Sequence, residues 1–147
     1  MSKCFFYVII LCVFVPAVAC EKVTAGNVKN KEKWDALNFS SYIYTIKKSC
    51  FCSPEYMKMT QVSVVNGEVV SALYLNSDEK VPDKVIDSFL TISEWFDKIS
   101  SVANNENSTI DVQYDNKLGY PVSIKIDMHK RRADDEMSVF FYDVVKR

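Results

Sequence analysis

Two cysteines separated by one residue, Cys50-Phe51-Cys52, have the most chemical potential of any short stretch in this sequence. Two residues along an extended strand span about 6.6 Å, near the upper limit of the Cα separation in disulfides. A bond between these cysteines therefore requires a bend in the backbone, and the following Ser53-Pro54 is a natural place for a strand to break. We predict a Cys50–Cys52 disulfide whose role is mainly structural.

The same pair of cysteines supports two other hypotheses. A strained, easily reduced bridge would take part in thiol-disulfide exchange. The two thiolates, together with the thioethers of Met57 and Met59, would suit a soft metal ion such as Cu(I). The residue types alone leave the question of a metal open.

Patterns for catalysis and cofactor binding are otherwise sparse. The one histidine, His129, begins a basic run that is followed by Asp134-Asp135-Glu136, and such a charge-rich run between strands predicts a solvated turn. The three glycines are scattered, so the sequence has neither a P-loop nor a dinucleotide fingerprint. We predict no catalytic residue and no cofactor.

The N-terminus carries the features of an export signal. Lys3 is followed by an uninterrupted apolar run from Phe5 to Val15, which is too short for a membrane span of about 20 residues. We predict that residues 1–19 are a cleaved signal peptide. Ala17-Val18-Ala19 suits ordinary signal peptidase, and the same small residues before Cys20 resemble a bacterial lipobox. We predict a lipoprotein that begins at a lipidated Cys20, with plain secretion as the alternative.

The number of cysteines and the net charge agree with the predicted export of the protein. Of the five cysteines, Cys4 and Cys12 would leave with the signal peptide, and lipidation of Cys20 would leave one pair in an oxidising environment. The mature chain would carry 17 basic and 19 acidic residues, so it lacks the excess of positive charge that is typical of nucleic-acid-binding proteins. The predicted partners are a membrane, reached through the lipid anchor, and an unknown envelope protein or ligand.

The first half of the mature chain predicts one helix and three strands. Residues 20–30 lack an apolar period and predict a flexible tether, and residues 31–147 predict a single α+β domain. Within that domain, Lys31 to Leu37 is a short helical candidate, with Trp34 as a core residue. The alternation of Tyr42, Tyr44 and Ile46 predicts a strand that runs into Cys50. Asn66-Gly67, between two apolar runs, predicts a β-hairpin with a type I′ turn.

The second half predicts one helix followed by three strands. Thr91 and Glu94 match a capping box, and the helix from Ile92 to about Ala103 would place Trp95, Phe96 and Ile99 on one apolar stripe. Three further strands are expected, at Ile110–Tyr114, Val122–Met128 and Met137–Val145. The last strand is apolar on both faces, as in a central position. The order predicts a mainly antiparallel sheet with the helix packed on one face.

Several short blocks of the sequence resemble a family of bacterial lipoproteins known only as a domain of unknown function. The blocks are Ser49-Cys50-Phe51-Cys52-Ser53-Pro54-Glu55-Tyr56, Asn66-Gly67-Glu68-Val69, Thr91-Ile92-Ser93-Glu94-Trp95-Phe96, Leu118-Gly119-Tyr120-Pro121 and Ala133-Asp134-Asp135-Glu136. The resemblance covers roughly residues 31–145 and implies a protein of the cell envelope facing the periplasm. We expect a non-enzymatic binding module, and the alternative is a periplasmic thiol-disulfide or soft-metal handling protein.

Overall fold

Six antiparallel strands form one sheet in the structure, a computed structural model that describes residues 18–129 and 131–147, with side chains from residue 23 onward. The strands are β1 (Tyr42–Cys50), β2 (Thr60–Val65), β3 (Glu68–Tyr74), β4 (Thr109–Tyr114), β5 (Pro121–Asp127) and β6 (Glu136–Lys146). Their order across the sheet is β3-β2-β1-β6-β5-β4. The strand that is apolar on both faces, β6, therefore lies in the middle of the sheet, as predicted.

Two long helices pack on one face of this sheet. They are α1 (Val18–Asp35) and α4 (Ile92–Ala103), and two single-turn helices, α2 (Pro54–Met57) and α3 (Asp83–Ile86), lie in the connections. The helices α1 and α4 contact each other as well as β4. The chain is a single α+β domain with an antiparallel sheet, which confirms the predicted fold class.

The turn between β2 and β3 has the predicted geometry. Asn66 has φ 52° and Gly67 has φ 80°, so both central residues are in the left-handed region that a type I′ turn requires. Val65 pairs with Glu68 directly across the turn. The hairpin predicted from the Asn-Gly dipeptide is confirmed.

The N-terminus of α4 is capped as the sequence predicts. The backbone N–H of Glu94 donates to the Thr91 hydroxyl at 3.2 Å, and the Thr91 backbone N–H donates to the Glu94 carboxylate at 2.7 Å. These bonds satisfy donors that a helix start leaves unpaired. The apolar stripe of Trp95, Phe96 and Ile99 is buried against the sheet, which confirms the predicted packing.

The flexible tether predicted over residues 20–30 is wrong, because α1 begins at Val18 and runs without a break to Asp35. This stretch lacks an apolar period, but Asn27 is buried and makes hydrogen bonds to α4 and β4. Long-range contacts, rather than local propensity, hold this helix against the domain. The short helix predicted at Lys31 to Leu37 is the last part of α1 together with the turn that follows it.

Candidate functional site

The Cys50 and Cys52 side chains meet where β1 ends. Their sulfur atoms lie at bonding distance, and their Cα atoms are 5.3 Å apart, closer than in an extended strand. The backbone bends at Phe51 and Cys52, and Pro54 then begins α2. The structure therefore places the predicted disulfide pair together, with the bend in the predicted position.

The bend pushes an aromatic ring into solvent. Phe51 is 82% exposed, whereas both neighbouring cysteines are half-buried. A depression of about 300 Å³ beside the bend is lined by Ser49, Cys50, Phe51, Asp134, Glu136 and Ser138. Two carboxylates in this lining disfavour a thiolate beside them, because like charges repel. The local electrostatics therefore suit a closed bridge better than a reactive thiol.

Lys48 lies two residues before the bridge, on the face of β1 that the helices cover. Its ammonium nitrogen is 5.0 Å from the centroid of the Phe89 ring, an arrangement that permits a cation–π contact. Burial lowers the pKa of the Lys48 ammonium, because an apolar environment disfavours its charge. Lys48 thus closes the end of the core with its aliphatic stem, while its charged group lies on an aromatic face.

Two buried tyrosines of β1 reach the start of α4. The Tyr42 hydroxyl accepts a hydrogen bond from the Ile92 backbone N–H at 2.9 Å, and the Tyr44 hydroxyl donates to the Leu90 carbonyl at 2.5 Å. Burial raises the pKa of Tyr42 to about 12, and burial also raises the pKa of Tyr44 well above its usual value. Both phenols therefore stay neutral and position the helix rather than exchange protons.

The face of the sheet opposite α1 and α4 is the largest feature that the sequence interpretation missed. Five large apolar side chains on or near this face are substantially exposed: Val65 (37%), Val70 (54%), Leu73 (58%), Tyr142 (42%) and Val145 (52%). Cross-strand pairing places Ile43 beside Val145 and Thr45 beside Tyr142, whereas on β2 the neighbours of Ile43 and Thr45 are the polar Ser63 and Gln61. We call this surface, defined by the five exposed side chains, the open face.

On the same side of the sheet, the residues become more polar toward β4. There the paired positions are Gln113 with Ser123 and Asp111 with Lys125, and none of these four residues is large and apolar. The open face is thus confined to one half of the sheet. The alternation of each strand predicts which residues share a side, but it does not show which side the helices cover.

The remaining predicted residues do not converge on a site. His129 lies in an exposed turn, where its Nδ1 is 2.8 Å from a carboxylate oxygen of Asp135. Met57 and Met59 are half-buried on either side of Lys58. Within residues 18–129 and 131–147, no group of three or more histidine, cysteine or acidic side chains is arranged to hold a metal ion.

Two predictions at the N-terminus fall mainly outside the described residues. The predicted signal peptide covers residues 1–19, of which the structure describes only the backbone of the last two, at the start of α1. The Cys20 side chain, the predicted lipidation site, is also outside the described part. None of the helices in the described part is both long enough and apolar enough to cross a membrane.

Together these features define a small α+β domain. Its antiparallel sheet is covered by helices on one face, and a cysteine pair lies at the end of β1. Comparison with protein families matches residues 27–146 to the family of unknown function DUF6174, and the chain belongs to that family. No curated protein and no solved structure matches the chain.

Proposed function

We propose that this protein is a bacterial cell-envelope lipoprotein, anchored through Cys20 and facing the periplasm, that acts as a non-enzymatic binding module. The open face is the observation that carries the proposal. Single exposed apolar residues are ordinary on proteins, whereas five large ones on or near one side of a sheet favour an interaction surface. A sheet with helices on one side has a rigid second side, which suits the recognition of another envelope component.

The anchor rests on the small-residue run that ends at Cys20. Acyl chains contribute about 0.8 kcal/mol of membrane affinity per buried CH₂, so several chains on one cysteine would hold the domain firmly. Metabolic labelling with a fatty acid tests this step. The wild-type chain should take up label and sediment with membranes, and Cys20→Ser should do neither. An unlabelled wild type would exclude the lipid anchor and favour the alternative of plain secretion.

Binding by the open face is tested separately, with a photo-crosslinking amino acid placed in the full chain. Position Tyr142, on the open face, should give adducts with an envelope component in growing cells. Gln113, on the polar half of the same side, is the matched control and should give none. Adducts at Tyr142 should disappear when Val145→Lys is added, because a charge in the patch disfavours an apolar contact. Equal adducts at both positions would exclude the open face as the binding surface.

A second hypothesis is a periplasmic protein that handles thiols or soft metals through Cys50 and Cys52. Its support is that both cysteines are half-buried rather than enclosed, so a reductant could reach them. In exchange, a partner dithiol would be oxidised to a disulfide while the Cys50–Cys52 bridge was reduced. The carboxylates of Asp134 and Glu136 beside the bridge oppose this hypothesis, since they disfavour the thiolate that exchange requires.

A further inference from the structure

The two ends of α1 lie at opposite ends of the domain. The Trp34 and Tyr42 ring centroids are 5.2 Å apart, so the last turn of α1 lies beside the start of β1. Tyr42 also pairs with Val64, which is close to the Asn66-Gly67 turn. We call this part of the domain the hairpin end, defined by Trp34, Tyr42 and the Asn66-Gly67 turn. The first turn of α1 is therefore at the other end.

The Cys50–Cys52 bend and the turn between β5 and β6 also lie at that other end. Cys50, the last residue of β1, pairs with Met137 near the start of β6. Glu136, the first residue of β6, pairs with Asp127, the last residue of β5. We call this part the anchor end, defined by the first turn of α1, the Cys50–Cys52 bend and the turn over residues 128–135.

The bend at Phe51 extends at least as far toward the anchor end as Cys20 does. From Trp34 back to Cys20, α1 covers about 21 Å at about 1.5 Å per residue. From Tyr42 to Cys50, β1 covers about 26 Å at about 3.3 Å per residue. Both elements start at the contact between the Trp34 and Tyr42 rings and run to the same end. The Phe51 ring, which is 82% exposed, thus lies level with Cys20 or beyond it.

No flexible segment separates Cys20 from the folded domain. The backbone is helical from Val18 to Asp35, so Cys20 lies in the first turn of α1. Asn27 holds this helix against α4 and β4 through hydrogen bonds. An acyl chain on Cys20 would therefore be attached to a rigid element and would keep the anchor end at the membrane.

We propose that the anchor end docks on the surface of the phospholipid bilayer, with the Phe51 ring inserted among the headgroups. The proposal rests on the lipid anchor at Cys20. It adds a second contact between this protein and the membrane, and it gives the domain one fixed orientation.

The chemistry of the anchor end suits zwitterionic headgroups. Apolar groups of proteins that lie on a membrane are buried by about 5–10 Å, and an exposed aromatic ring gains free energy there. The turn between β5 and β6 carries equal numbers of basic and acidic residues, which are Lys130, Arg131, Arg132, Asp134, Asp135 and Glu136. Both signs find a partner on a headgroup that carries a phosphate and an ammonium group. The carboxylates of Asp134 and Glu136 beside Phe51 keep this contact shallow.

Docking in this orientation leaves the open face accessible. The strands run between the two ends of the domain, so the sheet would stand upright on the bilayer. The open face would then look sideways along the membrane. Val145 pairs with Ile43 near the hairpin end and would lie well above the lipid. The fixed orientation therefore presents the open face to another envelope component.

Quenching of tryptophan by brominated lipid tests the docking in the full chain. The chain is exported by bacterial cells, purified with its lipid and placed in phosphatidylcholine vesicles that carry bromine near the top of the acyl chains. Phe51→Trp should lose most of its added emission, measured against wild type, whose Trp34 and Trp95 are buried. Val65→Trp, at an exposed position of the hairpin end, is the matched control and should lose none. Equal losses, or no loss from Phe51→Trp, would overturn the proposal.

An inserted tether tests whether α1 sets the orientation. Gly-Ser repeats placed between Glu21 and Lys22 leave Cys20 unchanged but separate it from the rest of the helix. Quenching of Phe51→Trp should then fall to the level of Val65→Trp, because one shallow ring binds a membrane too weakly by itself. Unchanged quenching would contradict the role of the rigid helix.

Fatty-acid labelling of the same preparations separates this proposal from the proposed function. An unlabelled wild type would reject the anchor at Cys20 and the docking with it. A labelled chain whose Phe51→Trp variant is not quenched would reject the docking alone.

Discussion

The Tyr114 hydroxyl donates a hydrogen bond to the Asn27 Oδ1 at 2.9 Å and so ties α1 to the edge strand β4. The Asn27 amide nitrogen donates to the Phe96 carbonyl at 2.9 Å and to the Ser100 hydroxyl at 2.8 Å, both on α4. One buried side chain thus joins two helices and a strand. Burial raises the pKa of Tyr114, which keeps its phenol protonated and able to donate.

We predict that Asn27→Ala destabilises the domain by about 2–3 kcal/mol. The variant loses three hydrogen bonds and leaves buried polar groups on Phe96, Ser100 and Tyr114 without their partner. Urea denaturation measures the loss. Asn30→Ala is the control, because the Asn30 amide nitrogen donates to the Gly26 carbonyl within the same helix, and its loss should cost less than 1 kcal/mol. Equal losses in the two variants would contradict the role assigned to Asn27.

The same residue explains why the sequence failed to predict the first half of α1. Helices and strands are predicted from the regular spacing of apolar residues, and residues 21–30 have no such regular spacing. The partners of Asn27 lie 69 to 87 positions further along the chain, so no local window contains them. By contrast, the Asn66-Gly67 turn and the Thr91 capping box depend on residues within four positions, and both were predicted correctly.

We predict that Gly119→Ala is much more damaging than Gly67→Ala, although both glycines have positive φ. A Cβ at Gly119 would lie 2.7 Å from the Asn30 carbonyl oxygen, whereas a Cβ at Gly67 would have nothing within 4 Å. Backbone strain alone should cost about 1–2 kcal/mol at Gly67. The added clash with α1 should bring the cost at Gly119 to about 3 kcal/mol or more. Thermal unfolding of both variants is the measurement, and similar losses would show that α1 can move away.

The candidate site likewise has one feature that follows from adjacent residues and one that follows from long-range packing. The Cys50–Cys52 pair and its bend follow from adjacent residues, so the sequence predicted them. The open face results from the position of α1 and α4 on the other side of the sheet, and from the order of the strands. Neither is encoded in a short window, and alternating strands such as β2 therefore gave no sign that their outer side is uncovered.

We predict that stability falls at alkaline pH partly through Tyr42. Burial raises its pKa from 10.0 to about 12, so the folded state favours the neutral phenol. That contribution is complete below about pH 10 and is lost as the pH rises toward 12. The stability difference between wild type and Tyr42→Phe should therefore shrink by about 1 kcal/mol between about pH 9 and pH 11. Other buried tyrosines titrate in both proteins and cancel in the difference; a difference that stays constant would contradict the argument.

The cysteine pair gives the last prediction, because its chemistry separates the two functional hypotheses. Alkylation of the purified chain without reductant should label neither Cys50 nor Cys52, since their sulfurs lie at bonding distance. The ring is short, so replacing both cysteines with serine should cost only about 1–2 kcal/mol and leave a folded domain. Phe51→Ala is the control at the same bend and should change stability by less than about 0.5 kcal/mol, because its ring is exposed. Mass spectrometry reads the first result and urea denaturation the second. Two alkylated thiols would contradict a structural bridge, and copper bound to them would favour the soft-metal hypothesis.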